Sequence, residues 1–580
     1  LGKTQRAIVI LSLAMIFVSS FYSNCSGSNM QLAGVSSEHT LTGAPTTSNP
    51  IASNQIGAPI SAIANKDLIT VNVPCENLKT EGTYPADTST DAQYVVLPSR
   101  IRLIGDSQNR PVRFLLGTCS VDRPIQIENS HISLDCQNST IAAKGVGILA
   151  IPNSVGNDSF WGIRCASTPP NDTTPPPVGQ LRFNSSTGPM NDIEIKNCTI
   201  APTGTLGSDG QDNSRTGIYL GWKGDSYAGS DAAQKANGFA CSSGWTYQQV
   251  SDNSVTQVTV SHVRMSGLGS GGIFLGSHSR YVLIDNVNLD SLNGDGVYLD
   301  TSHDVIVQNS RFVHLGGVTK REALSIDSSF NNTIRNNVFQ DNQFGSIDIY
   351  KNCGEKGFLR EWSAIGNVIQ NNNFSFTPAN LTEWQGGLAS SAAVHVGSRT
   401  SKLLGDSGGC GTTPLVRFTD QSGNHLSIYP DVSQSNTVIG NTIVNHPYGV
   451  QLEDDFNQVN GNTFSETSDF PLTKAVNVIV ARTFTSLVAA VEAHSTSTTL
   501  VSIDSESVNF DPNQAVRCSQ IENNVLSSAD NGITSNVQIY RNSPETSFLN
   551  NTAQNSKSVV TLPGNLLTQF NFSNCGLSIQ

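Results

Sequence analysis

The feature that most constrains this chain is a strand-sized pattern that returns about every two dozen residues. The segments Asp192–Ile200, Gln257–Met265, Tyr281–Leu289 and Asp304–Phe312 each alternate apolar with polar residues around a central Asn or Ser. Asn331–Phe339, Gly366–Phe374 and Asn436–Val444 repeat the pattern, and the starts at 257, 281, 304 and 331 lie 24, 23 and 27 residues apart. Period-two alternation over so few residues specifies a half-buried strand running into a turn. A second strand lies between these segments: Gly217–Leu220, Gly272–Leu275, Gly296–Leu299, Ala323–Ile326, Ser346–Ile349, Ala393–Val396 and Gly449–Leu452. No such unit buries its apolar side alone, so the units must stack, which is the logic of a β-solenoid. A helical solenoid would need a period near 3.6 and longer unbroken segments.

Composition fits this fold. Charged residues make up 14% of the chain and aromatics 7%, while glycines number 50, suiting many short strands and turns. Thirty-three basic against 46 acidic residues leave a formal charge of −13 and no basic cluster, which argues against a nucleic-acid partner.

Lys3 and Arg6, the apolar run Ala7–Val18, then Ser19 and Ser20 have the order of a secretory signal, with an apolar core too short for a membrane span. Cys25 follows where a bacterial lipoprotein carries its lipid, so a secreted, cell-surface or periplasmic protein is expected, with lipid anchoring through Cys25 as the alternative. The ten cysteines other than Cys25 are an even number that permits disulfides in an oxidising compartment. The expected organisation is a signal peptide over 1–25, a Ser/Thr/Asn/Gly-rich linker over 26–66, an N-terminal cap over 67–124 and a parallel β-helix over 125–464. Residues 465–580 are expected to supply an insertion, final coils and a C-terminal cap, with Ala475–His494 readable as a helix from Val480, Leu487, Val488 and Val491.

From Ile125 to Phe464 the chain resembles the pectin-lyase-like superfamily of right-handed parallel β-helices, which includes parallel β-helix repeat proteins, polygalacturonases, pectate lyases and mannuronan C5-epimerases. Ile125–Cys136 is similar to the first coils of such proteins. The resemblance implies an all-β fold, a right-handed parallel β-helix with long loop insertions, in which Asn337, Asn372 and their equivalents form internal ladders. Asn293-Gly-Asp-Gly296 resembles a polygalacturonase element, but Leu315-Gly-Gly-Val stands where that family has Gly-Asp-Asp. Asp300-Thr-Ser-His303-Asp304 resembles the Asp-Pro-His-Asp turn of the epimerases, without its proline and with Asp327 where an arginine is expected.

Aligning the second strands by their inward apolar pairs puts Tyr219, Phe274, Tyr298, Ser325, Asp348, His395 and Gln451 in one outward column. Two residues later come Asp300, Asp327 and Tyr350. Intervals of 55, 47 and 56 residues between such strands imply loops that leave the solenoid at about Trp222–Ser254, Lys351–Ile365, Thr377–Ser391 and Thr400–Ser435, walling a trough. The partner this suggests is a polysaccharide or cell-surface glycan: aromatic faces suit sugar rings, and acids and bases suit proton transfer. Asp327, Asp348, Lys351 and Arg321 are the candidate catalytic residues. Tyr219, Phe274, Tyr298, Asp300, Lys320, Tyr350, His395 and Arg399 are candidate substrate contacts.

An Asp327/Asp348 separation of about 8 Å permits an inverting hydrolase. Lys351, Tyr350 or His395 as base with Lys320, Arg321 or Arg399 as cation permits a lyase or epimerase. A non-catalytic adhesin or glycan-binding solenoid is the alternative. No cofactor is expected; Asp300 and Asp327 could offer oxygens to calcium, but no compact calcium loop is present. Cys353 and Cys410, on neighbouring insertions, are an expected disulfide.

Overall fold

Alternation of the kind seen in the sequence leaves each strand with one apolar face, and the computed structural model closes those faces against one another in a parallel β-helix. It describes residues 68–150 with short gaps, 188–201, 216–221, 254–351, 364–383, 392–397, 433–467 with short gaps, 519–527 and a few isolated strands. Residues 1–67, with the expected signal segment and linker, lie outside the described residues.

Among the described residues three long sheets hold thirteen, fourteen and twelve strands, here called the first, second and third sheet. One coil illustrates the path. Arg280–Asp285 lies in the first sheet, Asn288–Asp290 in the third and Val297–Asp300 in the second, and the chain returns to the first at His303–Gln308. Apart from an N-terminal antiparallel meander, the strands of these sheets pair in parallel with their counterparts one coil on, as in Val282↔Val305, Leu289↔Phe312 and Val297↔Leu324. Ile273/Leu275, Val297/Leu299, Leu324/Ile326 and Ile347/Ile349 therefore stack in register, and all are buried. Phe312, Phe339 and Phe374 line up inside with centroids 4.5 and 5.0 Å apart.

The turn from first to third sheet sets this repeat. Its first residue takes a left-handed backbone, as at Asn286, Asn309, Asn336, Asn371 and Gly440 with φ between 53° and 65°. Asparagine and glycine adopt that region at least cost. The next residue points inward and becomes Asn337, Asn372, Asn441, Asn462 and Asn524 on successive coils. Asn372 shows the bonding: its Oδ1 accepts from the backbone N and the Nδ2 of Asn337 at 2.9 and 3.0 Å. Its Nδ2 donates to Ile334 O at 2.9 Å and to Asn441 Oδ1 at 3.1 Å. The buried amide is thus satisfied by its own copies and one backbone carbonyl. A second ladder runs through Asn332, Asn367, Asn436 and Asn457.

Glycine is required where coils meet at the entry to the second sheet. A Cβ on Gly272 would lie 2.4 Å from Gly296 O, and one on Gly296 would lie 2.7 Å from Ala323 O.

Parallel stacking also runs outside 125–464. Ile69–Asn72 pairs with Val112–Leu115, and Ile101–Ile104 pairs with Ile125–Ile127 beside an antiparallel meander over Gly82–Asp87 and Thr90–Val96. At the other end Val525–Ser527 pairs with Thr552–Gln554. The helical reading of Ala475–His494 is corrected at its start, because Val476–Val480 is a strand paired with Tyr448–Leu452. Val476, Val478 and Val480 alternate with period two, and the preceding coil's register decides in favour of the strand. Residues 481–494 lie outside the described residues.

Disulfides join Cys75 to Cys119 and Cys136 to Cys198. Cys410 lies outside the described residues, and with it the expected Cys353–Cys410 bond. Among the described residues no helix is long and apolar enough to cross a membrane.

Two stability measurements follow. Asn372→Ala should cost about 3 kcal/mol or more in chemical denaturation, because it strands buried donors and a carbonyl, whereas Asn371→Gly at the exposed left-handed position should change stability by less than about 0.5 kcal/mol. Burial pushes the Glu466 carboxyl up from 4.5 to about 7. A raised carboxyl contributes stability that is present below pH 4.5 and lost as pH rises through about 7. Glu466→Gln should therefore flatten the melting temperature between pH 5 and 8 and gain over wild type at the alkaline end.

Candidate functional site

Parallel register carries side chains of one kind into columns, and the second sheet does this on its outer face. Tyr219, Phe274, Tyr298, Ser325, Asp348, His395 and Gln451 are consecutive register partners, and Asp300, Asp327 and Tyr350 form the column beside them. The alignment read from the sequence is the alignment in the structure.

What those side chains do differs from an open trough floor. Tyr219 stacks on Phe274 with centroids 4.5 Å apart and planes 11° apart, and Phe274 stacks on Tyr298 at 5.5 Å and 7°. The faces expected to receive sugar rings are thus turned toward one another along the solenoid axis. Parallel strands one rung apart hold large rings at stacking distance, so a column of aromatics packs on itself.

The polar groups also close over one another. Asp300, Ser325, Asp327, Asp348, Tyr350, His395 and Gln451 are all buried. The Tyr298 hydroxyl donates to Asp327 Oδ2 at 2.6 Å, and the Ser328 hydroxyl donates to Asp327 Oδ1 at 2.9 Å. Thr301 makes the same contact to Asp300 Oδ1 at 3.1 Å on the preceding coil. His395 Nδ1 lies 2.6 Å from Asp348 Oδ1, with both side chains fully buried. A carboxylate accepts, so the imidazole carries its hydrogen on Nδ1. Ser325 Oγ is 2.6 Å from Asp295 Oδ1 and 3.2 Å from Glu322 Oε2.

The cationic candidates are spread around this core. Lys320 is exposed with a left-handed backbone at φ 53°. Arg321 is half-buried, its backbone N–H bonded to Gly316 O, and Lys351 is half-buried directly after Tyr350. Arg399 lies outside the described residues, as does most of the four expected wall loops. At the base of one of these, the buried Asp341 accepts from Thr377 N at 2.6 Å and from Asn380 Nδ2 at 3.1 Å, tying Pro378–Glu383 to the coil. Among the described residues no group of three or more His, Cys, Asp or Glu side chains is gathered as if for a metal.

The turn Asp300–Asp304 divides its groups. Asp300 ends a strand of the second sheet, while His303 begins one of the first sheet, 2.7 Å from Asp304 Oδ2 and stacked on Phe330 at 4.7 Å. The sequence pointed to His395 as a substrate contact or, with Lys351 and Tyr350, as a candidate base, and gave no role to Ser328 or Asp295. The signal for His395 was its place beside Asp348 in the column; that for Ser328 was a hydroxyl directly after a strand-end carboxylate, a pattern shared with Asp300-Thr301.

Residues 181–374 match the family model described as right handed beta helix region. The chain carries a right-handed parallel β-helix. This β-helix is also similar to solved structures, though distantly. The A-module of an Azotobacter vinelandii mannuronan C-5 epimerase is 10% identical, with 78% of this chain and 89% of that one covered and a TM-score of 0.36. A surface adhesin of Streptococcus pneumoniae is 14% identical over 77% and 82% with a TM-score of 0.39. The tailspike protein of E. coli bacteriophage HK620 is 10% identical over 79% and 61% with a TM-score of 0.35. No curated protein shows a significant sequence match. No residue role is transferred from these likenesses.

The aromatic column makes a prediction about stability. Phe274→Ala removes a ring stacked on both sides and should cost about 3 kcal/mol. Tyr298→Phe keeps the stack and loses one hydrogen bond to a carboxylate, about 2 kcal/mol. Urea denaturation of the two variants checks the order.

Proposed function

We propose that this is an exported protein that acts on a polysaccharide along the outer face of the second sheet, by proton transfer at Asp348, His395, Tyr298 and Asp327. The observation that carries the reading is the pairing of an imidazole with Asp348 and of a phenol with Asp327, from four successive coils of one column pair. A carboxylate held against Nδ1 fixes the tautomer and orientation of a histidine, as general-base chemistry needs. Low water content around buried groups strengthens such interactions.

Within this reading, elimination or epimerisation beside a sugar carboxylate fits better than hydrolysis by two separate carboxylates. Asp327 and Asp348 each already accept a hydrogen bond from a proton-transfer group, whereas an inverting pair needs one carboxylic acid free to protonate the leaving oxygen. His395 would take the proton, and Lys351 or Arg321 would balance the charge that develops on the substrate. Two disulfides support export, because such bonds persist in oxidising compartments.

A second reading, a glycan-binding solenoid without turnover, has its own support in the closed floor: Asp327, Asp348 and His395 carry no exposed surface. A polysaccharide panel read for unsaturated ends, reducing ends and retention on the immobilised polymer separates the two. On a polymer that wild type converts, Asp348→Asn and His395→Gln should each lower kcat by about 100-fold or more while retention persists. Retention without turnover by wild type on every polymer retained would decide for the binding reading.

A further inference from the structure

Ser328 occupies a position where its residue type is costly. Its φ is 52°, in the left-handed region that glycine adopts freely and a serine does not, and its side chain is fully buried. Backbone bonding does not call for serine, because the N–H donated to Tyr350 O at 2.7 Å would be present with glycine. What glycine could not supply is the hydroxyl, which donates to Asp327 Oδ1 at 2.9 Å while Tyr298 holds Oδ2 at 2.6 Å. Thr301, in the same place one coil earlier and also left-handed at φ 49°, donates to Asp300 Oδ1. Backbone strain at this turn thus accompanies a hydroxyl set on the preceding carboxylate on two successive coils.

We infer that Ser328 is a positioning residue that fixes the rotamer of Asp327, an inference that rests on the proposed site. With one oxygen held from its own coil and the other from the coil before, the carboxylate cannot turn about its Cβ–Cγ bond without breaking both contacts. Asp327 is thereby kept aimed at Tyr298.

Two substitutions separate positioning from structural support. Ser328→Gly removes the hydroxyl and relieves the backbone; Ser328→Thr keeps the hydroxyl, and Thr301 shows that threonine fits this turn. Crystal structures of both variants read the effect without any substrate: Asp327 should leave its wild-type rotamer or occupy more than one in Ser328→Gly, and keep it in Ser328→Thr. On a polysaccharide that wild type converts, Ser328→Gly should lower kcat by about 10- to 100-fold with KM and melting temperature unchanged, and Ser328→Thr should restore it. An unmoved Asp327 in Ser328→Gly, or wild-type kcat, overturns the inference. So does a fall in melting temperature that tracks the fall in kcat, because the role is then structural. If Asp348→Asn and His395→Gln turn over normally, the site reading falls, and the crystal structures still decide whether Ser328 orients Asp327.

Discussion

A buried amide is costly unless each of its polar atoms finds a partner, and in this chain the partner is the same residue one coil further on. Asn337, Asn372, Asn441, Asn462 and Asn524 each hand a hydrogen bond to the next, and each also takes a carbonyl from a neighbouring coil. A slip of one residue would leave the whole ladder unsatisfied and turn every strand's apolar face to water. The ladder therefore fixes the height and register of the coils, and the sheets inherit that register.

The ladder itself reaches the coils of Asp348 and His395 through Asn337 and Asn372. Register places Ser325 under Tyr298, Asp348 under Ser325 and His395 under Asp348, although 47 residues separate the last two in the chain. Ser325 follows Tyr298 in the column, and Tyr298 itself stacks on Phe274 and sends its hydroxyl to Asp327 in the column beside it. The site is therefore a change of chemistry along one column, from rings that pack on themselves to acids paired with a phenol and an imidazole.

That column was legible in the sequence because period-two alternation states which way each side chain points, and the inward pairs Ile273/Leu275 to Ile347/Ile349 anchor the alignment. Direction is not contact, however. Backbone spacing put Asp327 and Asp348 about 8 Å apart but could not show that Tyr298 and His395 would claim them, since that depends on rotamers settled by packing. Likewise the rings of Tyr219 and Phe274 were recognisable as aligned, while their use of one another's faces was not. The start of the helical reading of Ala475–His494 has a similar origin: Val480 fits a helical face, and only the neighbouring coil's strand at Tyr448–Leu452 decides for alternation at Val476–Val480.

The central claim is that a glycan meets the chain at the second sheet, over the coils that carry Tyr298, Asp327, Asp348 and His395. A crystal structure of the wild-type protein with an oligosaccharide cut from a polymer that it retains tests this most directly. The account predicts a sugar ring on the outer face of the second sheet, over the coils of Tyr298, Asp327, Asp348 and His395, with Lys351 or Arg321 turned toward it. An oligosaccharide seated on the first or third sheet, with the Tyr298–Asp327 and Asp348–His395 pairs untouched, would contradict it.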